Sequence, residues 1–164
     1  MDTKLIWAAG FMDGEGTITI KRAKRGKKGN LYHLPYISCA QVEKPDNLKA
    51  LETLKELFGG SVSRYKQNPK NGDRIDTITW NVTSNMARIC AEKLLPYLII
   101  KNKQAKLLIE FSQSFVRGHK RKWLTDTERS ERETHFWKMR DLNVKGKLRL
   151  QRLSEVTTKV DAIV

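Results

Sequence analysis

The chain has 164 residues, with 32 lysines and arginines against 18 aspartates and glutamates, and a net charge of +14 at pH 7. This length predicts one domain with a real core, and the excess of positive charge predicts a polyanionic partner, with nucleic acid favoured over a membrane surface. No stretch is long and apolar enough to span a bilayer, so we expect no membrane partner. The two separated cysteines, Cys39 and Cys90, form neither a disulfide framework nor a zinc site and are typical of a reducing compartment.

A short helix is predicted at the start of the chain. Asp2 or Thr3 is a suitable N-cap, and the glycine-rich stretch Gly14-Glu15-Gly16 is a suitable end. Since this helix begins almost at residue 1, we expect no secretory signal.

One stripe of this helix carries Ile6, then Ala9 or Gly10, and then Asp13. Small residues allow a second helix to approach closely. An acid at the C-terminal end of a helix is unusual because the macrodipole is already negative there. Two such helices side by side would bring carboxylates together and favour a divalent cation. The stretch therefore predicts a helix interface and a metal site in one place.

Two hairpins and further helices follow. Alternation of apolar and polar residues predicts strands at 17–25, 31–42, 61–67 and 74–83, and Pro35 suggests an edge or a bulge in the second strand. Helical spacing predicts helices after the cap at 44–47, at 84–95 with Ile89, Cys90 and Leu94 inward, from residue 101, and near 128–142. This order predicts an α+β fold with helices on one face of an antiparallel sheet. We expect a core at 1–116, and a basic, partly helical extension of the same domain at 117–164.

The segment from Ala8 to Gly16 resembles the nine-residue motif of the LAGLIDADG homing endonucleases. Asp13 and the final glycine match the motif outright, and Glu15 stands for its second acid. The resemblance covers roughly residues 5–116. It implies an αββαββα fold whose curved antiparallel sheet lies over the DNA major groove, together with C-terminal helices.

The resemblance also implies an activity. Members of the family are site-specific, divalent-metal-dependent endonucleases that cut long, near-palindromic double-stranded DNA targets. The expected cofactor is Mg²⁺ or another divalent cation, such as Mn²⁺, or Ca²⁺ in a non-cleaving complex. Because the chain carries one copy of the motif, a homodimer is implied through the first helix, with Ile6, Ala9, Gly10 and Asp13 at its interface. Asp13 is expected to cap backbone groups or pack there rather than bind metal.

The expected catalytic residues follow from the same resemblance. Glu15 is expected to hold the metal, with Gly14 beside it. Lys101 matches a basic residue near the attacking water and the scissile phosphate, and Lys103 is a neighbouring candidate. A polar residue at the end of the second strand is expected near that water; Gln41 and Glu43 both have the required strand parity, and we favour Gln41.

The polar faces of the strands are expected to contact DNA. Alternate residues on one face of a β-ribbon can reach base edges in the major groove. Basic residues near the first hairpin tip are expected to contact phosphates. The expected contacts are Thr19, Lys21, Ala23, Arg25, Lys27, Lys28, Tyr36, Ser38, Thr77 and Thr79.

Two other functions fit the same pattern: an intron RNA maturase or splicing cofactor, and a non-catalytic DNA-binding protein. Glu15 and Lys101 together favour the enzyme, because a protein that only binds a polyanion gains nothing from acids beside it. We expect the protein to act in an organelle, a chloroplast or mitochondrion, if it is encoded by an intron there, and otherwise in a prokaryotic cytoplasm.

Overall fold

The protein has a four-stranded sheet and five helices within the residues that a computed structural model describes, which are 2–24, 31–66, 76–116 and 124–144. The helices are α1 (Thr3–Glu15), α2 (Pro45–Phe58), α3 (Ser84–Leu94), α4 (Asn102–Val116) and α5 (Asp126–Asn143). The strands are β1 (Gly16–Lys24), β2 (Leu31–Val42), β3 (Ser61–Tyr65) and β4 (Thr77–Thr83). The order αββαββα, followed by two C-terminal helices, confirms the predicted α+β fold.

Local chemistry explains where the first and last helices begin. The side chain of Asp2 accepts hydrogen bonds from the backbone N–H groups of Lys4 and Leu5, which confirms it as the N-cap of α1. At α5, Thr125 and Glu128 form a capping box, so this helix begins two residues before the predicted start. No helix in the described ranges is long and apolar enough to cross a membrane.

The sheet is antiparallel throughout, with strand order β1-β2-β4-β3. Because side chains alternate across a strand, each strand gives one set of residues to the helices and the other to the opposite face. Most of the set packed against the helices is apolar and buried: Ile18, Ile20, Ile37, Cys39, Ile78, Trp80 and Val82. We call the opposite face, which carries the polar set, the open face.

Pro35 lies in β2, which has a neighbouring strand on each side. β4 pairs with β2 only from Tyr36 onward, so at Pro35 the strand has β1 alone as its partner. The predicted edge position is therefore confirmed locally, because a proline there removes no hydrogen bond to β4. The alternative of a bulge was wrong, since Pro35 pairs with Ile20 in an unbroken register.

The inward stripe of α3 shares Cys90 and Leu94 with the predicted one, lacks Ile89 and adds Ala87 and Ala91. Ile89 was expected to face the core but is exposed. Ala87, Cys90, Ala91 and Leu94 are fully buried, at the i, i+3, i+4, i+7 spacing of one helix face. Two alanines thus occupy core positions because they allow α3 to lie close to the neighbouring elements.

Candidate functional site

The junction between α1 and β1 brings the two acids of the glycine-rich motif to different environments. Asp13 is buried and accepts three backbone hydrogen bonds from the segment that precedes α4. Its Oδ2 accepts from the N–H groups of Ile99, at 2.7 Å, and Ile100, at 3.1 Å, and its Oδ1 accepts from the N–H of Lys101, at 2.9 Å. Burial alone would raise the pKa of Asp13, but these bonds and the Lys101 charge outweigh it and hold the pKa below its usual range.

Lys101 is fixed at the same place. Its ammonium group donates a hydrogen bond to the backbone carbonyl of Asp13, while its own N–H is bound to the Asp13 carboxylate. The alternative candidate, Lys103, is exposed on the first turn of α4. Two hydrogen bonds to Asp13 therefore hold Lys101 beside the glycine-rich motif.

Glu15, the second acid, is exposed at the end of α1. Its Oε2 accepts a hydrogen bond of 3.1 Å from the side-chain amide of Gln41. Glu43 pairs instead with Arg64, at 2.8 Å between Oε1 and Nε. Of the two strand-end candidates, Gln41 is thus the one that lies against Glu15.

Asp13, Glu15, Gln41 and Lys101 form a group at the end of α1 that we call the corner. Gly16 and Cys39, which are register partners on β1 and β2, lie beside it. A Cβ at Gly16 would lie 2.7 Å from the backbone oxygen of Met12, so the turn from helix to strand requires glycine. Cys39 is buried, and burial raises the pKa of its thiol to about 11. The thiol is therefore protonated at neutral pH and is not a nucleophile.

The open face gathers the predicted strand contacts that fall within the described residues. Thr19 pairs with Tyr36 across β1 and β2, and the ammonium nitrogen of Lys21 lies 3.3 Å from the centre of the Tyr36 ring. The positions that share this face are Thr19, Lys21, Ala23, Tyr36, Ser38, Thr77 and Thr79. Arg25, Lys27 and Lys28 lie outside the described residues.

Several open-face residues were missing from the sequence-based set of contacts. β3 adds Ser61, Ser63 and Tyr65, which pair with Asn81, Thr79 and Thr77 of β4. Tyr65 is 68% exposed, which makes it accessible to a ligand on this face. The parity rule used for the other strands would have found them, because Ser61, Ser63 and Tyr65 alternate with Val62, which packs against the core.

The predicted helix interface needs a correction. Ala9 is fully buried within its own chain and does not lie on the exposed side of α1. Asp13 is also buried, and it caps the backbone N–H groups before α4, which confirms the capping role expected for it and not the place at the interface. Both residues are buried because α1 packs against α3 and β1. Ile6 and Gly10 do lie on the exposed side, and a Cβ added at Gly10 would meet nothing within 4 Å.

The corner has ligand chemistry suited to a hard cation. Glu15 offers an exposed carboxylate, and Mg²⁺ is commonly held by one or two carboxylates together with substrate phosphates and water. Gly14, which precedes Glu15, is also exposed, and a Cβ added there would meet no atom within 4 Å. Across the part of the chain that the structure describes, no three His, Cys, Asp or Glu residues converge as a metal-binding group.

Known proteins of one family resemble this chain. A family model described as LAGLIDADG endonuclease matches residues 8–111, while the curated proteins give no match. Similar solved structures include the homing endonuclease I-CvuI in complex with the I-CreI target in the presence of Mg (23% identity, 88% of this chain and 84% of that chain, TM-score 0.68). The archaeal intron-encoded homing endonuclease I-Vdi141I, complexed with DNA, is 19% identical over 98% of both chains, with a TM-score of 0.67.

A third similar structure is the homing endonuclease I-TnaI (24% identity, 94% of this chain and 98% of that chain, TM-score 0.62). At this level of identity the structures show a shared fold, whereas the family model covers well over half of the sequence. The chain therefore belongs to the LAGLIDADG endonuclease family, whose members are DNA-cleaving enzymes.

Proposed function

We propose that this LAGLIDADG endonuclease cuts double-stranded DNA at a long, near-palindromic site, as a homodimer joined through α1 and with Mg²⁺ as cofactor. The observation that carries the proposal is the meeting of Glu15, Gln41 and Lys101 at the end of α1, beside an open polar sheet face. A protein that only binds nucleic acid has no use for an exposed carboxylate braced by an amide at that position. The net charge of +14 suits a DNA backbone.

We assign each residue of the corner a separate role in phosphodiester hydrolysis. Glu15 offers a carboxylate ligand, and the amide of Gln41 orients that carboxylate through its hydrogen bond. Lys101, held at the end of α1, places a positive charge where negative charge develops on the scissile phosphate. When bound, Mg²⁺ would lower the pKa of a water molecule and stabilise the departing oxygen. The presence of Mg or Ca in solved complexes of I-CvuI supports this choice of cation.

Exposed apolar residues around α1 support the homodimer. Ile6 and Trp7 are 41% and 40% exposed on α1. Ile99 and Ile100 are 87% and 70% exposed, and their N–H groups are bound to Asp13 near the end of the same helix. A cluster of exposed apolar side chains is typical of a protein interface.

The lengths of the matched chains agree with a dimer. The match to the homing endonuclease I-SmaMI covers 82% of this chain but only 44% of that chain, so I-SmaMI is long enough for two such units. A two-fold dimer through α1 would bring the two Glu15 carboxylates toward one axis and present two copies of the open face. A target read by two identical faces has two-fold symmetry, which is why we propose a near-palindromic site.

The decisive experiment is cleavage selection with the purified protein. A pool of randomised duplexes would be incubated with Mg²⁺ or with EDTA, and the cut ends would be sequenced. We expect related, dyad-symmetric sites with Mg²⁺ and no cutting with EDTA. Uncut DNA together with tight binding to a structured intron RNA would favour the maturase instead. Selective DNA binding without cutting in any divalent cation would favour a non-catalytic regulator.

A further inference from the structure

Part of the β1–β2 hairpin extends beyond the four-stranded sheet. β4 pairs with β2 only over Tyr36–Val42, so residues 21–24 and 31–34 are paired only with each other; we call them the distal ribbon. A two-stranded ribbon is marginally stable by itself and twists more than a wide sheet. Lys21, one of the expected groove contacts, lies on the open face of this ribbon. Its position therefore depends on what supports the ribbon from behind.

Glu133 of α5 joins the two strands of the distal ribbon through one carboxylate. Its Oε1 is 2.5 Å from Nη1 of Arg22, and its Oε2 is 3.0 Å from Nε2 of His33. Arg22 and His33 are register partners, one on each strand. A single side chain from a distant part of the sequence thus holds both strands at the same level of the ribbon.

The two bonds of Glu133 have different surroundings. His33 is only 6% exposed, and its ring lies 5.7 Å from that of Phe136. The guanidinium carbon of Arg22 lies 4.7 Å from the centre of the Phe136 ring. The His33–Glu133 bond is thus partly shielded from water, which strengthens a hydrogen bond to a charged group. The side chains of Arg22 and Glu133 are each 34% exposed, so their ion pair is weaker.

We infer that Glu133 is a positioning residue for DNA recognition, one that sets the tilt of the distal ribbon and thereby the reading of the outer base pairs. This inference rests on the proposed function. Lys21 and Arg22 are neighbours on opposite faces of β1, so a contact that fixes Arg22 from behind also fixes Lys21 in front. Lys21 lies five residues beyond Gly16, where β1 begins, a rise of roughly 17 Å at about 3.3 Å per residue, so we expect the base pairs that it contacts to lie far from the cleavage site.

The position of Glu133 in the chain adds to the argument. α5 lies beyond residues 8–111, the part that matches the family model. The groove-reading strands thus belong to the family core, whereas the residue that holds their distal part comes from the segment after it. Glu133 is also a negative charge in a strongly basic protein. It lies on the side of the ribbon away from the open face, so it repels DNA phosphates less than an acid on the open face would.

The test compares Glu133→Gln with Glu131→Gln. Both changes remove one negative charge from α5, and Glu131 is exposed, so their general effect on DNA affinity should be the same. Binding would be measured against the duplex selected by the wild type and against every single mismatch in one half-site. In Glu133→Gln we expect the ratio of affinities for matched and mismatched duplexes to fall about five- to tenfold for mismatches at the outer positions. For mismatches at the inner positions this ratio should not change. Glu131→Gln should retain the wild-type profile.

Hydrogen exchange in the DNA-free protein provides a second readout. Amides of residues 21–24 and 31–34 should exchange faster in Glu133→Gln, while those of α1 should be unchanged. Arg22→Gln breaks only one of the two contacts of Glu133, so it should change the same amides and the same base positions in the same direction but by less. The double variant should add little to Glu133→Gln, because the Arg22 contact is already weakened in it. If Glu133→Gln fails to fold, Arg22→Gln alone provides the test.

The outcomes separate the two proposals. An equal loss of discrimination at all positions, or a profile and exchange rates like those of Glu131→Gln, would overturn the role of Glu133 and leave the endonuclease proposal intact. Failure of the wild type to select any duplex would overturn the proposed function and, with it, this inference.

Discussion

The corner at the end of α1 and the distal ribbon are held in different ways. In the corner, Asp13 binds three consecutive backbone N–H groups and so fixes Lys101 through the main chain. In the distal ribbon, the two strands are joined to α5 through the side chain of Glu133. Main-chain bonds from a buried carboxylate allow little movement, whereas a side-chain contact with a half-exposed acid can be broken by one substitution.

This difference suits the two tasks that we propose for these regions. Hydrolysis needs catalytic groups held to within a fraction of an ångström, which favours a corner built from backbone bonds. Groove reading tolerates small adjustments, because the ribbon and the DNA can both adapt. The following predictions break one region or the other, from the largest expected effect to the smallest.

Glu15→Gln should remove the chemistry of the corner and spare its structure. The amide keeps the size of the side chain but is a poor ligand for Mg²⁺, so we expect cleavage to fall by at least roughly 10³-fold with DNA binding nearly unchanged. Single-turnover cleavage and equilibrium binding on the selected duplex would measure the two effects. Cleavage at the wild-type rate would show that Glu15 does not hold the metal.

Gly10→Leu should weaken a dimer that is joined through α1. The added side chain meets no atom within its own protomer, so it should disturb only a second helix packed against α1. We expect the dimer dissociation constant to rise about 100-fold by overpacking. Sedimentation at several concentrations would measure this, with Glu56→Leu on an exposed site of α2 as the control. An unchanged dimer would place the interface elsewhere.

Asp13→Asn should weaken the corner through stability. The amide replaces a charged acceptor of three N–H bonds, so we expect a loss of about 2–3 kcal/mol in the free energy of unfolding. The lowered pKa of Asp13 means that its stabilisation is present above about pH 3.8 and is lost as the pH falls through the folded-state pKa; Asp13→Asn should lack this loss. Chemical unfolding at several pH values would test both points. Glu15→Gln, at the exposed acid, should leave stability almost unchanged.

Lys21→Ala should weaken base recognition by the distal ribbon and leave the corner unchanged. We expect a loss of about 1–3 kcal/mol of discrimination at one base position. Lys24 lies on the same strand but on the opposite face, so Lys24→Ala removes the same charge and should weaken binding about equally on all duplexes. Binding to matched and mismatched duplexes at two salt concentrations would compare them. Identical behaviour of the two variants would show that this strand does not read the groove.

His33 should give the smallest effect, a pH dependence of stability. Burial lowers the pKa of His33 despite the opposing charge of Glu133, while Arg22 and Arg132 add to the lowering. The unfolded chain therefore takes up a proton near pH 6.5 before the folded chain does, so stability should decline as the pH falls below 6.5. His33→Gln should show a smaller difference in melting temperature between pH 7.5 and 5.5 than the wild type. An equal difference in the two proteins would show that His33 does not contribute.

Much of the fold and part of the site could be predicted because the relevant rules are local. Strand parity depends on a period of two residues, so the open-face positions such as Thr19 and Ser38 followed from alternation alone. Gly14 and Gly16, on either side of Glu15, predicted the end of α1 and the start of β1, and the sequence narrowed the N-cap of α1 to Asp2 or Thr3. The motif itself indicated the family, and the family implied which residues to seek.

Contacts between distant parts of the chain were decided by the tertiary structure. Gln41 and Glu43 share a strand parity, and only the packing of β2 beside α1 placed Gln41 against Glu15. Ala9 was assigned to the wrong side of α1 because a helix of small residues has no strong apolar face to show which side is buried. The joining of Arg22 and His33 by Glu133 spans at least 100 residues, and no local period records such a contact. Local rules determine what each element is, but the choice of its neighbours is made by packing over the whole chain.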